Sequence, residues 1–145
     1  MNKEKKRGFY VLMPVNSNKY HQSFLQYHIA FFTKNNIPFE TKEINFIRNY
    51  FKNVSLSHEF KIMGMEFDMN SVILTIDCQT THYIPNLIKA LKGGSARFLY
   101  KEFPDSKITH GSSLWDTRYI ISTENERFEQ MIKQYRGSTL VEAEI

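Results

Sequence analysis

The chain has 145 residues and a mass of 17.2 kDa, with 41% hydrophobic, 23% charged and 14% aromatic content, which suits one globular domain that buries roughly 70% of the surface its unfolded form exposes. Its one cysteine, Cys78, excludes an intrachain disulfide, and no Cys/His spacing of the zinc-finger type is present, so a reducing cytoplasm is the expected compartment. No apolar run approaches the roughly 20 residues of a membrane span, the basic opening leads into no signal-peptide core, and nineteen Lys plus Arg against fifteen Asp plus Glu give a net charge of +4, compatible with a polyanionic partner without demanding one.

Phe9 to Met13 reads as a short apolar strand ended by Pro14, and residues 1–24 are taken as an N-terminal extension to a domain of residues 25–145. Tyr27 to Thr33 is aromatic and branched, bounded by Asn35-Asn36, and predicts a central strand. From Glu43, apolar residues Ile44, Ile47, Phe51 and Val54 recur at spacings of three, four and three, which marks one face of a helix capped by Thr41. Phe60 to Met65 and Asn70 to Ile76 predict a hairpin around a link holding Glu66 and Asp68.

Ile84, Leu87, Ile88, Leu91 and Phe98 mark a second helix with Lys89, Lys92 and Arg97 on its polar face, and Gly93-Gly94 is expected to break or bend it. A loop from Pro104 to Ser113 leads into a strand, Leu114 to Ser122, that carries the only tryptophan, Trp115. Thr123 to Glu126 resembles a capping box, and Phe128, Met131, Ile132 and Tyr135 line a last helix that Gly137 is expected to stop. The order strand, helix, two strands, helix, strand, helix predicts an α+β fold, a ferredoxin-like antiparallel sheet flanked by helices.

Five histidines, at 21, 28, 58, 82 and 110, include no two at chelating spacing. His28 is read as a hydrogen-bonded structural residue in its strand, and His82 and His110 as exposed loop residues. Lys34, Lys89, Lys92, Arg97, Lys101, Arg118 and Lys133 are candidate phosphate contacts, and Phe31, Trp115 and Tyr119 candidate stacking platforms for unpaired bases.

In this order and at these separations, Tyr27 to Lys34 with Pro38-Phe39, Ile84 through Leu91-Lys92-Gly93 with Ser95, and Leu114-Trp115 with Tyr119 and Thr123 resemble the small single-tyrosine, HUH-type transposases of insertion sequences, the superfamily that includes the REP-associated tyrosine transposases. The resemblance runs from about Tyr27 to Tyr135. It implies a homodimer that holds hairpins of single-stranded DNA, and a tyrosine on the last helix that attacks a phosphodiester. Counting from Leu114-Trp115 places that tyrosine at Tyr135 or one residue before it, which makes Tyr135 the candidate nucleophile, although the stripe Phe128, Met131, Ile132, Tyr135 also reads as ordinary core.

The resemblance further implies two histidines flanking one hydrophobic residue, which hold a divalent metal that polarises the phosphate. That segment falls on Asp68-Met69-Asn70-Ser71-Val72-Ile73, so Met69 and Ser71 stand where the imidazoles belong, and a metal-ligating glutamine one turn after the tyrosine falls near Thr139. Side chains at i and i+2 of a strand share a face, which lets two imidazoles chelate one ion. A thioether is a poor ligand for magnesium or manganese and a neutral hydroxyl a weak one. Lewis-acid polarisation is worth several kcal/mol and about 1.4 kcal/mol is tenfold in rate, so its loss should cost many decades.

The expected protein therefore binds structured single-stranded DNA as a cytoplasmic homodimer, without membrane association, without a resident cofactor and without metal-dependent nicking. Lys34, Lys89, Lys92, Arg97 and Arg118 are its leading DNA contacts. One alternative is an active enzyme using Tyr135 with magnesium or manganese in an altered site near Asp68 and Asn70, two residues expected on the other face. Another is a dimeric scaffold or partner-binding module with no DNA role.

Overall fold

Both faces of the Tyr27-to-Thr33 segment are apolar, and the fold uses both. A computed structural model of the chain describes residues 24–144, with side chains from 25 to 137. The Phe9-to-Met13 strand expected in the N-terminal extension lies outside the described residues. Strands β1 (Phe24–Thr33), β2 (Lys61–Phe67), β3 (Ser71–Gln79) and β4 (Trp115–Ser122) form one antiparallel sheet in the order β2-β3-β1-β4. Helices α1 (Thr41–His58), α2 (Ile84–Glu102), α3 (Pro104–His110) and α4 (Asn125–Glu144) complete the ferredoxin-like α+β arrangement, and β2 and β3 form the expected hairpin.

Residues 29 to 33 of β1 are all buried. The period of two sends Ile29 and Phe31 to one face, where they meet Ile47 and Phe51 of α1 and Leu87, Leu91 and Leu99 of α2. Ala30 and Phe32 point the other way, onto Ile120 of β4 and Phe128 and Ile132 of α4. A helical layer therefore covers each face of the sheet.

Several local expectations are corrected. Thr41 is not the cap of α1. Glu40 is, in a capping box in which its N–H donates to Glu43 Oε1 at 2.8 Å. Gly93-Gly94 does not break α2, which runs on through Glu102. A Cβ at Gly94 would collide with the Tyr50 phenol, so this glycine lets α1 and α2 approach rather than ending a helix.

The stretch taken as a loop after Pro104 folds as α3, with the proline in its first turn. Its His110 is not exposed: Nε2 lies 3.0 Å from Glu43 Oε1, and Ser106 donates to Glu43 Oε2 at 2.6 Å, all three side chains being buried. His82 is half-buried rather than exposed, its Nε2 lying 2.8 Å from the His58 carbonyl while its Nδ1 accepts from the Gln79 N–H at 2.9 Å.

Gly137 does not stop α4, which continues to Glu144. A glycine inside a helix costs only about 1 kcal/mol relative to alanine, and ends one only where the chain turns left-handed. The α4 start also differs from the expected Thr123 capping box: the helix begins at Asn125, and the Ser122 hydroxyl accepts the Glu124 N–H at 3.0 Å.

Candidate functional site

One end of the sheet gathers the chain segments expected to matter. The turn before β3 is fastened from three sides: the Thr33 N–H donates to the Asn70 carbonyl at 2.9 Å, the Phe39 N–H to the Met69 carbonyl at 2.8 Å, and the Asn70 side chain to Asn36 Oδ1 at 3.0 Å. Met69 lies in this turn with 70% of its surface exposed, whereas Ser71 opens the strand and is fully buried. The two positions therefore part company. Ser71 Oγ accepts from Nη2 of Arg136 on α4 at 3.3 Å, and the same nitrogen lies 3.3 Å from Asp68 Oδ2.

Tyr135 is half-buried, one residue before Arg136. Its ring stacks on Phe32 with centroids 3.9 Å apart and lies under the Arg118 guanidinium at 4.7 Å. Its hydroxyl donates to Asp116 Oδ2 at 2.8 Å. The residue thus packs in the apolar stripe through its ring and enters a polar cluster through its oxygen.

Burial pushes the Asp116 carboxyl up, but the side chain and backbone N–H of Arg118, with the Tyr135 hydroxyl, outweigh it and hold the group down at about 2. A folded pKa below the ordinary 3.8 contributes stability that is complete above 3.8 and is lost as pH falls towards 2. After solvent screening that contribution is about 1–2 kcal/mol. Tyr135→Phe removes one of the donors, so it is expected to lower stability by about 1 kcal/mol at neutral pH. The difference from wild type should persist at pH 3.8 and shrink only as pH falls towards 2, where Asp116 protonates in the folded protein, which urea titrations at several pH values will read out.

The five leading basic candidates do not share one surface. Arg118 sits at Tyr135 and bonds Asp116 Oδ2 at 3.0 Å. Lys34 leaves the end of β1 in a 3₁₀ turn, its N–H on the Leu114 carbonyl at 2.9 Å and its side chain exposed. Lys92 is half-buried rather than solvated: Nζ donates to the Asp116 carbonyl at 2.7 Å and lies 5.2 Å from the Tyr119 ring centre. Burial lowers its pKa, against the pull of Asp116. Lys89 and Arg97 are exposed on α2, in the layer opposite α4, and the Arg97 guanidinium lies over Phe98 at 4.4 Å.

His28 is the structural residue expected, its Nδ1 3.3 Å from Thr75 Oγ1 and its pKa lowered by burial against the pull of Glu129. Sequence reasoning missed Asp116 and Arg136. The one signal for each is adjacency, to Trp115 and to Tyr135.

A divalent cation asks for several hard oxygen or imidazole donors aimed at one point. Here Ser71 and Asp68 both face a guanidinium, the Met69 thioether stands in an exposed turn, and Asn70 turns away to Asn36. Among the described residues, no group of three or more His, Cys, Asp or Glu side chains converges. These residues do not fit the metal that the resemblance implies. The side chain at Thr139 lies outside the described ones.

A ferredoxin-like sheet with a tyrosine-bearing helix packed on one face points to a transposase-type fold, and the family model described as "Transposase IS200 like" matches residues 21–136. The chain belongs to that family. It is similar to the ISDra2 transposase TnpA of Deinococcus radiodurans, 26% identical over 130 residues that span 87% of this chain and 93% of that protein. Its fold is similar to the crystal structure of a Deinococcus radiodurans R1 protein assigned as a transposase, with a TM-score of 0.75, 24% identity, and coverage of 86% of this chain and 98% of that one. It is also similar to a REP-associated tyrosine transposase solved bound to a REP hairpin, with a TM-score of 0.55, 10% identity, and coverage of 76% of this chain and 61% of that one. Among the described residues, no helix is long and apolar enough to cross a membrane.

Proposed function

We propose that this transposase-family chain recognises hairpin-forming single-stranded DNA, as a cytoplasmic homodimer built on residues 25–145, and does not nick it by a metal-dependent route. The observation that carries this reading is the divergence of the implied metal positions: Met69 is exposed in its turn, and Ser71 is buried and faces Arg136. Meanwhile the tyrosine, its aromatic seat and neighbouring basic groups remain. The hairpin held by the REP-associated relative supports the choice of DNA.

Filter binding of hairpin, linear single-stranded and duplex DNA across a salt series tests the reading. Hairpin DNA is expected to bind tightest, with log affinity falling by about 0.7 per phosphate contact for each tenfold rise in salt. Equal affinity for the three forms, without a salt slope, would sink it. In parallel, a labelled hairpin incubated with magnesium or manganese is expected to form no covalent adduct. The position of Tyr135 favours the alternative, an active nucleophile; an adduct abolished by Tyr135→Phe would establish that alternative. A dimer by light scattering with no DNA binding would establish the scaffold reading instead.

A further inference from the structure

We propose that the Arg136 guanidinium stands in for a divalent cation and holds one phosphodiester of the bound DNA without metal. The inference deepens the hairpin-DNA reading and rests on it. Three observations converge. The Asp68 carboxylate and the Ser71 hydroxyl, which come from the turn that the resemblance assigns to metal binding, both meet Nη2 of Arg136 at 3.3 Å. Ser71 is fully buried, so its hydroxyl is a fixed anchor on the protein side of that charge. The Arg136 side chain nevertheless keeps 45% of its surface exposed, so it is not sealed behind that anchor.

The chemistry of the guanidinium selects the ligand. Its charge persists at all ordinary pH values and no chelator removes it. Asp68 and Ser71 engage one of its three nitrogens, whereas the group as a whole carries five N–H donors in a planar fork that matches phosphate oxygens. Asp68 and Asp116 offset part of the local positive charge, Asp68 at Arg136 and Asp116 at Arg118. A bare attraction for any anion is thereby weakened, and a group offering two non-bridging oxygens at once is favoured. A phosphodiester is such a group.

Fluorescence anisotropy of a labelled hairpin oligonucleotide with the full chain provides the test, in EDTA and in manganese, for wild type, Arg136→Gln and Arg136→Lys. EDTA and manganese are expected to give affinities within about twofold of each other, because Arg136 contributes the cation. Arg136→Gln should weaken binding roughly tenfold and reduce the salt slope by about 0.7, one phosphate contact, and Arg136→Lys should fall between, retaining charge without the fork. Electron paramagnetic resonance of added manganese should show no protein-bound signal.

Wild-type affinity and slope retained in Arg136→Gln would overturn the inference while leaving the hairpin reading intact. So would a bound manganese signal that Asp68→Asn abolishes. Failure of wild type to bind DNA at all would remove both. If circular dichroism shows Arg136→Gln unfolded, Arg136→Lys and the manganese measurement decide.

Discussion

Glu43→Ala is expected to lower folding stability by about 3–5 kcal/mol, the scale for removing one partner of a buried ionic or hydrogen-bonded pair. Glu43 is fully buried and serves three groups: the Glu40 N–H at 2.8 Å, the Ser106 hydroxyl at 2.6 Å and His110 Nε2 at 3.0 Å. Truncation opens the capping box of α1 and leaves a hydroxyl and an imidazole buried in α3 with no acceptor. Replacing the carboxylate alone, with Glu43→Gln, keeps the shape and should cost less. Urea unfolding of the three proteins measures the difference. A loss below about 1 kcal/mol for the alanine variant would mean that α3 is held to α1 by something other than this cluster.

Trp115→Ala is expected to cost a similar amount, about 3–5 kcal/mol, the range for emptying a buried aromatic site. The indole is 5% exposed, with Phe31 and Phe39 rings at 5.7 and 5.8 Å, and its Nε1 donates to Ser95 Oγ of α2 at 3.0 Å. Two residues that carried the family resemblance from distant parts of the chain are thus hydrogen-bonded to each other. Trp115→Phe keeps a ring and loses the bond, for about 1–2 kcal/mol. Asp116 follows in the chain and holds both Tyr135 and Arg118, so hairpin affinity should fall with stability in Trp115→Ala but recover largely in Trp115→Phe. Thermal melts and anisotropy on the same samples separate the two effects. Affinity unchanged in folded Trp115→Ala would show that the indole does not position the cluster.

The strand and helix order was legible because β1 is an unbroken aromatic and branched run and α1 and α2 obey the period of 3.6, their Ile47, Phe51, Val54, Leu87 and Leu91 being buried as the spacing required. α3 was not legible: its one aliphatic side chain, Ile108, is 86% exposed, and it is anchored instead by Ser106 and His110 to a glutamate far back in the chain. Polar partners at that separation leave no periodic trace. Gly94 carried the opposite hazard, since a residue known for ending helices was present for the Tyr50 phenol beside it. At the site, Tyr135 was found through resemblance and its dual environment was not. Asp116 and Arg136 acquire their roles only when β4, the turn before β3 and α4 meet.

Because alternate residues of β1 serve separate layers, that strand admits no change in length. One residue inserted between Tyr27 and Phe31 would exchange the destinations of Phe31 and Phe32, and every later side chain of the strand with them. The ring under Tyr135 would be replaced by a neighbour shaped for the opposite compartment. Insertions and deletions are therefore barred from this stretch more strictly than substitutions are, and the seat of the tyrosine is guarded by the arithmetic of odd and even positions.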